Sequence, residues 1–141
     1  MTINDINIVQ LPQFTDPRGN LSVIQNGDKS YLPFDIKRAY WIYDVPGGRE
    51  RHGHAFRTAS ELIVALSGSF DVVLSDGINE RRIHLCRSYY GVNIPPMTWR
   101  CLDNFSTNSV ALVVSSTLYN ENDYIRDFNE YQSLMTDGDK Q

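Results

Sequence analysis

The sequence predicts an all-β fold, a small β-barrel or jelly roll that ends in one short helix. Short apolar segments recur about every ten residues and are separated by residues typical of turns, which is the spacing of sandwiches and barrels. The chain has 141 residues, a length that suits one domain covering residues 1–141. We find no linker, repeat or low-complexity segment that would divide it.

The strands are predicted from apolar–polar alternation, from β-branched and aromatic residues, and from the turns that flank them. In chain order they cover residues 6–14, 20–25, 38–45, two strands within 61–77, 79–85, 90–99 and 109–117. The segment DPRG at 16–19 has proline second and glycine fourth, as a β-turn prefers. Asp76-Gly77 is a hairpin signal between two of these strands. The run at 109–117 is almost wholly apolar, which predicts a strand buried on both faces.

The helix is predicted over about 120–135. Apolar residues recur there at three-to-four spacing, and an acidic first turn suits the helix dipole. Asn120, Asn122 and Asp123 are the candidate capping residues.

Composition narrows the class of protein. The net charge of −4 argues against a nucleic-acid-binding module, which usually carries a basic face. No apolar stretch reaches the length of a membrane span, and the N-terminus does not resemble a signal peptide. Cys86 and Cys101 show no metal-site spacing, and we expect both to stay reduced. A cytoplasmic protein without membrane or nucleic-acid partners is therefore expected.

Two of the three histidines, His52 and His54, are separated by one glycine. In a regular strand they would project from the same face. With Glu61 they resemble the first metal-binding motif of cupins. The histidine that the second cupin motif would place after the proline turn is missing, because Trp99 and Arg100 stand there instead. Two histidines and one glutamate could still form a metal site, but we expect no metal.

The alternative for the histidine pair is proton transfer, since imidazole titrates near neutral pH. Five arginines accompany the pair in sequence: Arg38, Arg49, Arg51, Arg57 and Arg100. Those that converge on the barrel mouth would bind a phosphate or diphosphate, because guanidinium binds such oxygens bidentately. We expect two or three of the five to be surface residues.

Six segments, in order, resemble the cupin-type dTDP-4-oxo-6-deoxy-D-glucose 3,4-ketoisomerases over residues 6–131. They are FTDPRGNLSVI (14–24), DIKRAYWIYDV (35–45), R-x-x-H-x-H (49–54), L-x-G-S (66–69), P-x-x-W (96–99) and YNENDYIRDFNEY (119–131). The resemblance implies a cupin jelly roll, also called a double-stranded β-helix, that needs neither metal nor cofactor. It implies a dTDP-sugar substrate whose carbonyl moves from C4 to C3 through an enediolate. It also implies a homodimer with swapped N-terminal strands.

The resemblance also implies the site residues. The catalytic set is His52, His54 and Tyr40, and the substrate-binding set is Arg18, Arg38, Arg49, Trp99 and Arg100. Within them, His52 is expected to be the principal base with His54 as its partner, and Arg49 to hold the diphosphate. Arg18 would reach the site of the other subunit. Trp99 would pack against the sugar or the base, with core packing as an equal alternative.

Two departures from the family pattern concern the site. The loop between His54 and Glu61 is longer than expected, and Arg100 stands where the family often has histidine. The C4 stereochemistry of the product therefore stays open. Two other functions remain as alternatives: a 3,5-epimerase, and a non-catalytic cupin that binds a sugar nucleotide or senses a metal.

Overall fold

A computed structural model describes residues 3–49 and 51–139, without the side chains of His52 and Asp139. The strands are β1 Ile8–Gln10, β2 Gln13–Asp16, β3 Gly19–Ser22, β4 Arg38–Tyr43, β5 Arg51–Phe56, β6 Glu61–Ser67, β7 Phe70–Ser75, β8 Glu80–Leu85, β9 Tyr90–Ile94, β10 Trp99–Asp103, β11 Val110–Ser115 and β12 Tyr124–Ile125. Short 3-10 turns lie at Ile3–Asp5 and Glu121–Asp123, and helix α1 covers Phe128–Asp139. None of the described helices is long and apolar enough to cross a membrane.

The strands form two five-stranded antiparallel sheets that enclose the main core. The first sheet has the order β1-β9-β6-β11-β4 and the second has β12-β5-β10-β7-β8. Strands β2 and β3 form a separate hairpin. The core between the sheets includes Ile63, Phe70, Val72, Leu74 and Val113. The predicted all-β barrel with a C-terminal helix is confirmed.

The first sheet is covered on both faces along its central strands. On β6, Ile63 and Ala65 belong to the core between the sheets. Leu62 and Val64 pack instead in a second cluster with apolar residues of the N-terminal segment, which include Leu11. Burial on both faces explains why β6 and β11 have near-continuous apolar sequences rather than alternating ones.

Two elements differ from the sequence prediction. Strand β10 was not predicted, because WRCLD is short and carries the charged residues Arg100 and Asp103, yet it pairs with both β5 and β7 in the middle of the second sheet. Its polar inward residue, Arg100, is stabilised by an ion pair across the barrel. Helix α1 begins at Phe128 rather than near residue 120.

The later start of the helix has a tertiary cause. The carboxylate of Asp123 accepts hydrogen bonds from the backbone and hydroxyl of Thr58 and from the amide of Ala59. This ties residues 121–125 to the barrel, where β12 pairs with β5. The side chain of Asp127 then accepts from the amide of Asn129 at the start of α1.

Candidate functional site

A cavity of about 380 Å³ lies between the two sheets. The first sheet contributes lining residues from β4, β6 and β11, and the second contributes them from β5, β10, β12 and the segment after β12. The lining residues are Tyr40, Ile42, Arg51, His54, Glu61, Ile63, Arg100, Cys101, Leu102, Val113, Tyr124 and Arg126. An apolar wall that carries a few convergent polar groups is typical of a small-molecule site.

Glu61 is the centre of a buried polar network in this cavity. Its side chain is 1% exposed, and that of Arg100 is 2% exposed. Nη1 of Arg100 donates to Oε1 of Glu61 at 2.9 Å, and the hydroxyl of Tyr40 donates to Oε2 at 2.8 Å. Nη2 of Arg38 lies 3.7 Å from the same Oε2. Two cations and a hydroxyl therefore converge on one buried carboxylate.

Burial controls the protonation of this network. It raises the pKa of Glu61, and the positive charge of Arg100 opposes that rise. Burial also raises the pKa of Tyr40, and the neighbouring Glu61 carboxylate adds to the effect. Tyr40 is therefore a neutral hydroxyl throughout the physiological pH range. Its one hydroxyl proton is directed at Glu61, so its oxygen can accept a hydrogen bond from a ligand hydroxyl.

His54 lies in the opposite wall, among aromatic rings. Its ring centroid is 4.8 Å from that of Phe56 and 5.2 Å from that of Tyr124. In the sheet, His54 pairs with Arg100. The predicted catalytic residues His54 and Tyr40 thus line one cavity. The side chain of His52 lies outside the described residues, so its predicted role stays a prediction.

Two lining residues, Tyr124 and Arg126, were not among the predicted site residues. Cζ of Arg126 lies 4.2 Å from the Tyr124 ring centroid. Nε and Nη2 of Arg126 donate to both carboxylate oxygens of Glu121, and these bonds contribute most to lowering the pKa of Glu121 to about 2. The sequence signal was the DYIR segment, which supported the family resemblance but carried no assigned role.

The five arginines that accompany the histidine pair differ in where they lie relative to the cavity. Arg51 and Arg100 line the cavity, and Arg38 contacts Glu61 from beside it. Arg57 forms a surface ion pair, and Arg49 is exposed. The convergence expected from the sequence occurs, but Arg51 takes part rather than Arg49.

The remaining two predicted residues lie away from the cavity of this protomer. Arg18 is on the β2–β3 hairpin, where its side chain is 90% exposed and pairs with Asp16 at 2.7 Å. Trp99 packs against Phe128 and Tyr131 of α1, on the outer side of the second sheet. This placement favours the core-packing alternative for Trp99.

The glutamate of the cupin metal motif is hydrogen-bonded to other side chains in this protein. Glu61, which that motif would use as a ligand, is hydrogen-bonded to Arg100 and Tyr40. Within residues 3–49 and 51–139, no group of three or more His, Cys, Asp or Glu side chains is placed to hold a metal ion.

Comparison with known proteins identifies the family. The chain matches the family described as "FdtA: WxcM-like, C-terminal" over residues 4–136. A TDP-4-oxo-6-deoxy-alpha-D-glucose-3,4-oxoisomerase from Aneurinibacillus thermoaerophilus is 33% identical over 128 residues, which are 91% of each chain. A 3,4-ketoisomerase structure from Helicobacter canadensis is 36% identical with a TM-score of 0.88, covering 94% of this chain and 98% of that one.

A third comparison includes a bound nucleotide. The structure of QdtA, a sugar 3,4-ketoisomerase from Thermoanaerobacterium thermosaccharolyticum in complex with TDP, is 29% identical with a TM-score of 0.92. The match covers 97% of this chain and 98% of that one. The resemblance read from the motifs and the predicted isomerase class are both confirmed. The chain belongs to the FdtA family of cupin-type sugar-nucleotide 3,4-ketoisomerases.

Proposed function

We propose that the chain converts dTDP-4-oxo-6-deoxy-D-glucose to a dTDP-3-oxo-6-deoxy hexose. The observation that carries the proposal is the meeting of a histidine, a neutral tyrosine and a buried Glu61–Arg100 pair in one cavity. The substrate class is supported by the name of the curated relative and by the TDP complex of QdtA. The relatives reported above are ketoisomerases, which favours this activity over the 3,5-epimerase alternative.

The reaction needs two proton movements. The C3 hydrogen is acidic because it is next to the C4 carbonyl, and a base removes it to form an enediolate. A proton then reaches C4, and the hydroxyl proton moves from O3 to O4. The carbonyl thereby moves from C4 to C3 with no net gain or loss of atoms. Catalysis requires a base, a hydroxyl that exchanges protons with the two oxygens, and a positive charge near the enediolate.

The cavity supplies these three groups. We assign the base to His54, because its ring lies in the cavity wall, and we place His52 as its partner. This reverses the order expected from the sequence. Tyr40 moves the oxygen-bound proton: its oxygen accepts the proton of O3 while its own hydroxyl proton, donated to Glu61 in the free protein, passes to O4. Arg100 supplies a fixed positive charge that stabilises the enediolate.

The diphosphate is assigned to Arg51 and Arg126. Both line the cavity from the second sheet and its C-terminal extension. Arg126 is held in place by Glu121, so less side-chain freedom is lost when it binds an anion. Arg49 is exposed nearby in sequence and serves as a secondary phosphate contact.

We also propose that the protein is a homodimer with exchanged N-terminal hairpins. Every residue of β2 and β3 is exposed, including Phe14 at 60% and Leu21 at 57%. Trp41 and Tyr43, both 61% exposed, are further exposed aromatic residues on β4 of the first sheet. Such a surface is typical of a subunit interface. The exchange would bring Arg18 to the cavity of the other subunit. A cytoplasmic location stays a prediction from the sequence.

The activity is tested by incubating the protein with dTDP-4-oxo-6-deoxyglucose in D2O and following the products by NMR. We expect a 3-oxo product that carries deuterium at C4, with no loss of rate when a chelator is added. Exchange at C5 would support the epimerase instead. Absence of any exchange would support a binding protein, and inhibition by the chelator would contradict the metal-free mechanism.

The assignment of the base is tested with His54→Asn and His52→Asn. His54→Asn should abolish C3 exchange and leave TDP binding intact. His52→Asn should lower the rate less. The reverse order would return the base role to His52. A variant that loses TDP binding would show instead that its histidine positions the ligand.

The dimer is tested by sedimentation and by mixing two inactive variants, Arg18→Ala and His54→Asn. If hairpins are exchanged, one site in each mixed dimer contains both wild-type residues and regains activity. A monomer in sedimentation, or no recovery on mixing, would contradict the exchange.

A further inference from the structure

Gly53, between the two histidines, lies directly on the indole of Trp99. A Cβ at Gly53 would be 2.4 Å from Nε1, 2.6 Å from Cε2 and 2.7 Å from Cζ2 of that ring. These distances are too short for any real contact. Gly53 has no left-handed φ that would call for glycine, so the requirement for glycine comes from the indole.

The indole also packs against helix α1. Its ring centroid is 5.1 Å from that of Phe128 and 5.6 Å from that of Tyr131. Tyr131 is fully buried, and its hydroxyl donates to the carbonyls of Ser75 and Met97, at 3.0 Å in each case. The helix is thus anchored to the barrel, and the indole has little room to move away from β5.

The strand segment that rests on the indole contains a β-bulge. Arg100 pairs with His54 and Leu102 pairs with Arg51, so three steps along β5 match two steps along β10. The extra residue lies between Arg51 and His54. In a regular strand, residues three apart face opposite sides. The bulge is why Arg51 and His54 both line the cavity.

We propose that Trp99, clamped by α1, is a positioning residue for the proposed ketoisomerase reaction. It supports the bulge at Gly53 from outside the cavity and thereby determines where the imidazole of His54 lies. The inference rests on the proposed function, because the consequence of a displaced histidine is a loss of turnover. A displacement of about 1 Å can lower a catalytic rate by about 100-fold.

The main test introduces a collision and then relieves it. Gly53→Ala forces the bulge off the indole, and we expect kcat to fall by at least about 100-fold. KM and TDP affinity should change less than kcat, because Arg126, one of the two arginines proposed to hold the diphosphate, lies on the C-terminal segment outside the bulge. The double variant Gly53→Ala/Trp99→Phe has a smaller ring that lacks the part of the indole with which the added Cβ collides, and it should recover at least about tenfold in kcat. The matched control is Gly47→Ala, where nothing lies within 4 Å of the added Cβ.

A second variant tests the helix side of the clamp without a collision. Phe128 is 37% exposed, so Phe128→Ala should fold. It frees one side of the indole and should lower kcat severalfold at unchanged TDP affinity. Trp99→Phe alone should likewise affect kcat rather than KM. If Trp99 instead contacts the sugar, Trp99→Phe raises KM, which would overturn the inference.

The outcomes separate this inference from the proposed function. If the wild-type protein does not isomerise the sugar, the proposed function fails. The positioning claim is then decided by the NMR signals of the His54 imidazole, which should shift in Gly53→Ala and return in the double variant. If Gly53→Ala matches Gly47→Ala, or the folded double variant recovers nothing, the positioning claim is wrong.

Discussion

Replacing Arg100 by methionine perturbs the centre of the cavity in a measurable way. The change removes the guanidinium whose Nη1 lies 2.9 Å from Oε1 of Glu61, within a pair whose side chains are 2% and 1% exposed. It also removes the hydrogen bond from Nη2 to the carbonyl of Thr98 and the contact of the guanidinium with the Phe56 ring. Glu61 then keeps the hydrogen bond from Tyr40 as its main stabilising contact.

The cost follows from the burial of the pair. Unit charges about 4 Å apart interact by about 4 kcal/mol at an effective dielectric constant of 20. Removing one partner of a buried pair typically costs about 3–5 kcal/mol. Tyr40 still donates to Glu61, and methionine fills part of the vacated volume, so we expect the free energy of unfolding to fall by about 3 kcal/mol near neutral pH. For a chain of this length, that lowers Tm by about 10 °C.

The cost should grow with pH. Burial raises the pKa of Glu61, and the charge of Arg100 opposes that rise, so the variant has a still higher folded-state pKa. A carboxyl with a raised folded-state pKa contributes stability that is fully present below its unfolded pKa. That stability is lost as the pH rises through the folded-state pKa. The destabilisation should therefore increase between about pH 5 and pH 8, by up to about 1.4 kcal/mol per pH unit.

The measurement is urea unfolding followed by circular dichroism at both pH values. The matched control is Arg57→Met, since Arg57 pairs with Glu130 at 3.3 Å on the surface. That pair should contribute less than about 1 kcal/mol at either pH. Adding Glu61→Gln to Arg100→Met should recover stability at the higher pH. A cost for Arg100→Met that is independent of pH, or no larger than the control's, would refute the charged buried pair.

Three further predictions concern the proposed mechanism. His54→Asn should lower kcat by about 1,000-fold at unchanged TDP affinity in calorimetry, and retained turnover would rule it out as the base. Burial, and then the charge of Glu61, raise the pKa of Tyr40, so Tyr40→Phe should lower kcat by about 10–100-fold. The Tyr40→Phe variant should keep the same alkaline limb of the rate–pH profile below pH 10, because Tyr40 does not ionise there. If the substitution removes that limb, Tyr40 is not neutral in this range. Asp123→Ala removes three hydrogen bonds to residues 58–59. It should lower stability by about 2–4 kcal/mol and raise KM by displacing β12, and an unchanged KM would show that this anchor does not position the site.

Local patterns predicted much of the fold. The turn at 16–19 and the hairpin signal at Asp76-Gly77 occur where the sequence places them, because short-range sterics and side-chain-to-backbone hydrogen bonds act within a few residues. The apolar run at 109–117 became β11, since a strand buried on both faces needs no alternation. Six ordered motifs were enough to indicate the family and its chemistry.

The arrangement of the site depended on contacts between distant segments. Alternation would place Arg51 and His54 on opposite faces, but the bulge between them arises from pairing with β10, so strand periodicity could not predict that both line the cavity. Strand β10 carries a buried arginine that is stabilised by the Glu61–Arg100 pair, whose members are 39 residues apart in sequence.

The positions of the C-terminal segment and of Trp99 also depend on contacts between segments that are distant in sequence. By itself, the sequence determined that a β-barrel of this family would bring histidines, a tyrosine and arginines toward one site. Only the tertiary structure decided that Arg51 and Arg126 line the cavity, that α1 begins at Phe128, and that Trp99 packs behind the strand. Short-range sequence patterns determine the secondary structure, because they act through backbone sterics and side-chain preferences. The direction of each side chain is determined by register and packing across strands that are far apart in sequence.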